Sequence, residues 1–362
     1  MKFGIAFELS VPRPWGRESE RTVYNNALEQ VKLAEELGFE YVWAVEHHFL
    51  EEYSHCSSPE IFLTAAAMLT RKIRLGHGIV VCVPEYASPI RIAERTATMD
   101  IISGGRMEVG TGRSATWTEL GGFRADPDLT KKTWDEYVHV IPKMWMQERF
   151  SYEGQFFSMP QRTILPKPYQ KPHPPMWVAV SSAGTEIDAA ERGLGALGIS
   201  FAPMAQQEQT LKRYRQVIQN CDPVGAFVNN TVATINFLYC DEDDKRALEI
   251  GGGITSMFMP LATQFLHNPE AVPTRPGAGG GLLAALRHRL ASGNPREGSA
   301  IGDPHHITRE LKKWEAMGVD CVNFMLNCVE VVPQDKVLAS LRLFAKEVMP
   351  HFQKTPATQA AE

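Results

Sequence analysis

No stretch of this 362-residue chain stays apolar for the ~18 residues that a membrane-spanning helix needs, so a membrane partner or anchor is not expected. The opening run Met1-Lys2-Phe3-Gly4-Ile5-Ala6-Phe7 is broken at Glu8 and lacks the longer apolar core and cleavage site of a secretory leader, so a cytoplasmic location is expected. Cysteine is sparse. Six residues (Cys56, Cys82, Cys221, Cys240, Cys321, Cys328) lie scattered with no Cys-x-x-Cys spacing, which argues against a disulfide framework and a thiolate zinc site. A basic excess is missing as well: the formal net charge is -5, and no Lys/Arg stripe offers a footprint for nucleic acid.

What remains is an ordinary globular composition, 44% hydrophobic and 22% charged, in a chain long enough for one large core. Strand-like runs at 2–8, 40–45, 73–81, 107–110, 176–180, 196–200, 228–239 and 319–326 alternate with helix-like segments at 20–37, 59–70, 89–102, 130–147, 185–193, 204–220, 303–317 and 335–349. A hairpin with a Gly turn is expected within 150–168. This alternation predicts an α/β fold, a (β/α)8 TIM barrel with insertions. The domain reading is one barrel over 1–351 with a flexible tail at 352–362. The largest insertion, at about 241–298 after the seventh strand, contains Gly251-Gly252-Gly253 and the Gly/Pro-rich 274–281, stretches not expected to hold a fixed shape. It reads either as a lid over a site or as a disordered surface excursion.

Three strand ends carry polar residues, and in a barrel the C-terminal strand ends surround one crevice. Tyr41-Val42-Trp43-Ala44-Val45 ends in Glu46-His47-His48-Phe49. A histidine pair behind a carboxylate suits acid/base chemistry near neutral pH. Metal ligation, with His55 and Cys56 nearby, is the weaker reading, because consecutive residues on an extended chain point to opposite sides. The fourth strand ends in Gly110-Thr111-Gly112-Arg113-Ser114, and the fifth in Ser181-Ser182-Ala183-Gly184-Thr185 running into a helix. A permanent guanidinium, glycines that admit a ligand and a hydroxyl-rich helix start together describe a phosphate clamp. Each alone would be an ordinary cap. His305-His306 opens a polar helix after Gly302-Asp303-Pro304, where capping and exposure to solvent account for it.

The ordered set Glu46-His47-His48-Phe49, Leu75-Gly76-His77-Gly78, Ser103-Gly104-Gly105-Arg106 with Gly110-Thr111-Gly112-Arg113, and Ser181-Ser182-Ala183 leading to Ala189-Ala190-Glu191-Arg192-Gly193 resembles the bacterial luciferase-like, flavin-dependent monooxygenase family. The likeness spans roughly residues 1 to 200 and returns at Ile301-Gly302-Asp303-Pro304. It implies a (β/α)8 barrel that takes reduced FMN from a separate flavin reductase, and a homodimer packed through early helices. Arg113 then matches the arginine at the FMN phosphate, and Ser181, Ser182 and Thr185 complete that site, with Ala115 and Ala179 beside it. His47 matches the catalytic histidine, assisted by Glu46 or His48. Gly78-Ile79 matches the backbone, sometimes with a non-proline cis bond, that presses on the isoalloxazine ring. Gly112 stands where some light-emitting members carry a reactive cysteine, so light emission is not implied.

The expected chemistry is oxygenation by O2, through a flavin hydroperoxide, of a small apolar substrate: an aldehyde, a ketone or an activated ring. Trp43, Phe49 and Met257 are expected to help line a mouth that excludes water. Two alternatives stand beside it: a deazaflavin-dependent hydride-transfer oxidoreductase, and a non-catalytic flavin-binding partner subunit.

Overall fold

The computed structural model describes residues 1–114, 116–181, 184–199, 203–266 and 296–352. In chain order the elements are β1 (Lys2–Phe7), α1 (Ser19–Leu37), β2 (Tyr41–Ala44), α2 (Pro59–Leu69), β3 (Arg74–Val81), α3 (Pro89–Ser103), β4 (Met107–Gly112), α4 (Trp117–Phe123) and α5 (Thr130–Met146). The second half follows with β5 (Phe150–Glu153), β6 (Ser158–Arg162), β7 (Met176–Val180), α6 (Thr185–Glu191), β8 (Gly195–Ile199), α7 (Met204–Val217), β9 (Val232–Cys240), α8 (Asp244–Leu266), β10 (Ala300–Gly302), α9 (Pro304–Ala316), β11 (Cys321–Met325) and α10 (Gln334–Glu347).

Strands β1, β2, β3, β4, β7, β8, β9 and β11 pair in parallel and close on themselves through β8 and β9, which is the predicted barrel. The two extra pairs are peripheral. β5 and β6 form the expected hairpin, and short β10 adds to the far end of β9. Strand alternation sends Phe3 and Phe7 outward, where Phe3 meets Phe344 edge-on at 5.2 Å and Phe7 meets Phe62 of α2 at 5.5 Å. Inward-facing Trp43 and Trp177 meet edge-to-face at 5.5 Å and fill the lumen. Below them, buried Glu108 accepts a 2.6 Å hydrogen bond from the Trp177 indole and pairs with Arg74. With that end of the barrel plugged, openness is confined to the C-terminal mouth, where Glu8, His47, His48, Gly78, Ile79, Ala179, Val180 and Ser181 are all partly accessible.

The mouth is shaped by a bulge. His77 pairs with Val109 but Val80 with Thr111, so β3 spends one extra residue around Gly78-Ile79. Gly110 and Gly112 are there for this bulge: a Cβ on Gly110 would sit 2.0 Å from the His77 carbonyl oxygen, and one on Gly112 would sit 2.5 Å from the Ile79 side chain. The sequence suggested that these glycines admit a ligand. They admit the neighbouring strand instead.

Three further expectations change. Helix α4, between β4 and α5, was not foreseen, because a seven-residue helix with two glycines has too few apolar positions to show a period. Gly251-Gly252-Gly253 lies inside α8, whose buried Ala247, Ile254, Phe258 and Ala262 keep a helical stripe that outweighs the glycine cost. Residues 274–281 and the tail beyond 352 lie outside the described residues. Asp303 caps α9 by accepting from the His306 amide at 2.7 Å, as expected, but His306 is buried, with its Nδ1 2.8 Å from Arg309. Among the described residues no helix is long and apolar enough to cross a membrane.

Candidate active site

Three residues beyond the end of β2, His47 is caught between two carboxylates. Its Nδ1 lies 3.1 Å from Glu119 Oε1 on α4, and its Nε2 lies 3.7 Å from Glu8 Oε2 at the end of β1. Tyr53 stands edge-on to the ring at 5.5 Å and donates its hydroxyl to Glu8 Oε1 at 3.2 Å. Burial opposes a charge on the imidazole, but Glu119, then Glu8 and Glu46, outweigh it and hold the His47 pKa at about 9. Burial likewise opposes the Glu119 charge, and His47 with the surrounding donors outweighs it, so Glu119 is held below the usual carboxylate range. For Glu8 burial wins over His47 and Tyr53, and its pKa is raised. His47 is therefore an imidazolium at neutral pH, a proton and hydrogen-bond donor rather than a base.

Glu46 and His48 do not orient this ring, contrary to expectation. Glu46 Oε2 accepts the Val81 amide at 2.9 Å, just past the β3 bulge, and Oε1 lies 3.4 Å from His48 Nε2. The His48 ring meets Phe123 edge-on at 4.8 Å, and Phe123 stacks on Tyr86 at 4.0 Å. Neighbouring residues on an extended segment diverge, so the pair serves two sub-regions: His47 the charged cluster and His48 an aromatic wall. No group of three or more His, Cys, Asp or Glu that could hold a metal ion occurs among the described residues.

On the other side of the mouth, Thr111 of β4 pairs with Val178 of β7, so Arg113 and Val180 leave their neighbouring strands level, with Ser181 next. Arg113 is partly buried and has no ion pair or hydrogen bond with any described residue. The register thus brings Arg113 and Ser181 to one rim, while Thr185 is buried in the first turn of α6. Ser182 and Ala115 lie outside the described residues. One expected donor is already engaged: the Gly184 amide at the α6 start donates to Glu186 Oε2 at 2.8 Å, and Glu186 Oε1 takes Arg213 at 2.7 Å. That leaves the Arg113 guanidinium and the Ser181 strand end as the groups at this rim that could hold an anion.

Between rim and histidine the inner wall is made of small groups: Ala179, which pairs with Leu197, and the half-exposed Gly78-Ile79 bulge. The cis peptide bonds among the described residues all precede proline, so the Gly78-Ile79 bond is trans. A guanidinium with no partner among the described residues at one end, Ala179 and the Gly78-Ile79 bulge between, and a cationic donor at the other fit a phosphorylated planar ring. These residues fit FMN.

Phe258 of helix α8 packs on Tyr53 at 5.2 Å and on Phe237 at 5.5 Å, which sets the first part of the insertion against the ring that stands edge-on to His47. Of the three residues expected to line the mouth, Trp43 is sunk in the lumen below it, Phe49 is 56% exposed with its ring 5.4 Å from that of Phe123, and Met257 is 51% exposed. Sequence reasoning missed Glu119, Glu8, Tyr53 and Phe258. Thr116-x-x-Glu119 was a visible capping signal, and Thr116 Oγ1 does accept the Glu119 amide at 3.1 Å. The Glu119 carboxylate, however, does not take the Thr116 amide as in a full capping box: its Oε1 reaches His47 and its Oε2 accepts from the Thr116 hydroxyl.

Residues 1–321 match the family model described as luciferase-like monooxygenase. The oxygenase component of the flavin-dependent trigonelline monooxygenase of Acinetobacter baylyi is 23% identical over 98% of this chain and 96% of its own. Among solved structures, the monooxygenase RslO1 from Streptomyces bottropensis superposes with a TM-score of 0.80 at 27% identity, covering 98% of this chain and all of that one. The oxygenating constituent of 3,6-diketocamphane monooxygenase of Pseudomonas putida, solved with FMN, shares the fold at a TM-score of 0.76 and 17% identity over 97% of this chain and 98% of that one. So does an F420-dependent secondary alcohol dehydrogenase, at 0.71 and 17% over 98% and 99%.

Proposed function

The chain belongs to the luciferase-like monooxygenase family, and from that premise we propose that it is the oxygenase of a two-component system that uses reduced FMN, from a separate reductase, and O2 to oxygenate a small apolar organic substrate. The observation that carries this reading is the pairing of Arg113, a guanidinium with no partner among the described residues, with a fixed imidazolium across one barrel mouth. Arg113 and Ser181, with Ser182 and Thr185, would hold the phosphate, while Ala179 and Gly78-Ile79 would support the ring, with Ala115 beside Arg113. Bound reduced FMN supplies two electrons and the activation of O2, so that one oxygen atom enters the substrate and the other leaves as water.

The protein's own contribution is placement, proton supply and dryness. His47 donates toward the reacting oxygen, and Glu119 and Glu8 keep its ring charged and fixed. Phe258, Tyr53 and α8 exclude water from that side. The aromatic wall of His48, Tyr86 and Phe123 offers the substrate an apolar surface. We read the whole as one barrel domain, in which α8, the described first part of the insertion after the seventh barrel strand, lids the mouth.

Anaerobic titration with reduced FMN, followed by 18O2 in the presence of aldehydes, ketones and phenols, tests the function. Label in a product supports it. Hydride transfer from a reduced deazaflavin without oxygen uptake would replace it, and tight flavin binding with no oxygenation of any substrate class would favour a binding subunit.

The homodimer is proposed from helices α2 and α3. Ile61, Met68 and Leu69 on α2 and Ile101 and Ile102 on α3 are exposed, at 70%, 62%, 47%, 45% and 45%. Such an apolar face on adjacent helices is costly to leave in water. Light scattering should give twice the chain mass, and Met68→Glu should give the monomer. A wild-type monomer sinks the proposal.

A further inference from the structure

The anion rim and the histidine are joined by a single side chain. Glu119 Oε1 accepts from His47 Nδ1 at 3.1 Å and from the His48 amide at 3.0 Å. Its Oε2 accepts from Thr116 Oγ1 at 2.7 Å and from Ser114 Oγ at 3.2 Å. At 1% exposure the carboxylate has no water to satisfy it in place of these donors, so each donor's position constrains the others. Ser114 directly follows Arg113 and holds φ at +59°, a left-handed conformation that a serine keeps only when its surroundings demand it. The Thr116 amide closes this short loop by donating to Ser114 Oγ at 3.4 Å. A displacement at Arg113 therefore reaches Glu119 within one residue and one hydrogen bond.

We propose that Glu119 is a positioning residue that couples the two halves of the site: an anion gripped by Arg113 draws on Ser114, and Glu119 passes that change to the His47 ring. The consequence is order. The imidazolium takes its working orientation when the phosphate end is filled, so that proton donation is tied to cofactor occupancy. Thr116 anchors the hub to α4, and Ser114 is its movable arm. This inference rests on the reading of Arg113 as an anion site, and its test separates the two.

The test uses the full-length protein labelled with 15N-histidine, with inorganic phosphate as the probe. His47 ring signals are assigned with His47→Gln, and phosphate binding is read independently by 31P line broadening. In the wild type, phosphate should bind and move the His47 Nδ1 signal. In Ser114→Gly, which accepts the left-handed backbone but lacks the hydroxyl, phosphate should still bind while the Nδ1 signal stays still. Glu119→Gln should change the ring signals even without phosphate and lower the His47 titration midpoint. Circular dichroism confirms that both variants fold. Phosphate that binds the wild type and leaves Nδ1 unmoved overturns the coupling but not the anion site, and so does a Ser114→Gly response equal to that of the wild type. If phosphate fails to bind the wild type, or binds Arg113→Ala as well as the wild type, the anion site falls, and the coupling with it.

Discussion

Replacing Arg113 with alanine should weaken binding of reduced FMN by roughly 10- to 100-fold, because a charge-assisted contact to phosphate contributes about 1.5–3 kcal/mol and each 1.4 kcal/mol is about tenfold. The residue is suited to produce so large an effect. It is partly buried, where screening by solvent and salt is reduced, and no described carboxylate competes for it. Its planar fork also matches two phosphate oxygens at once, so Arg113→Lys should recover only part of the loss. Anaerobic fluorescence titration reads the affinity directly. Should Arg113→Ala bind as tightly as the wild type, the phosphate lies elsewhere, and the placement of the ring beside His47 goes with it.

His47→Ala should leave that affinity within a few-fold yet cut product formation by roughly 10² to 10⁴, the usual range for losing a positioned proton donor. Oxygen would still be consumed, but the two electrons of reduced FMN would take both of its atoms to hydrogen peroxide instead of one atom entering the product and the other leaving as water. Peroxide yield per flavin oxidised is thus the discriminating measurement, and tightly coupled product formation in the variant would remove His47 from the chemistry. A pH profile adds a second check. Because Glu119, Glu8 and Glu46 outweigh burial and hold the His47 pKa at about 9, the donor is present at neutral pH and lost as pH rises through about 9. Wild-type kcat/KM should fall across that range while the residual activity of His47→Ala does not.

The charged state of His47 is the point at which sequence and structure parted most. Read along the chain, Glu46 and His48 were its natural helpers, since they are its neighbours. In three dimensions Glu46 is occupied by the Val81 amide and His48, whereas Glu8 and Glu119, 39 and 72 residues away in opposite directions, bracket the ring. Gly110 and Gly112 show the same limit. Their place before Arg113 was plain in the sequence, but the group they make room for belongs to another strand. Phe258 was hidden for a different reason, because the Gly251-Gly252-Gly253 run masks the helical stripe that carries it.

Residue order alone determined the barrel, because alternating apolar periods are local quantities: each strand and helix declares its buried face within a few residues, and eight such repeats in parallel have one compact way to close. Order also placed Arg113, Ser181 and His47 at strand ends, and so on one face. Only the tertiary structure decided which groups touch. Hydrogen bonds and ion pairs act over about 3 to 4 Å, a scale set by strand register, the β3 bulge and the seating of α4, none of which leaves a period in the chain. The fold was therefore written locally, and the protonation state of its central histidine was decided by contacts across the mouth.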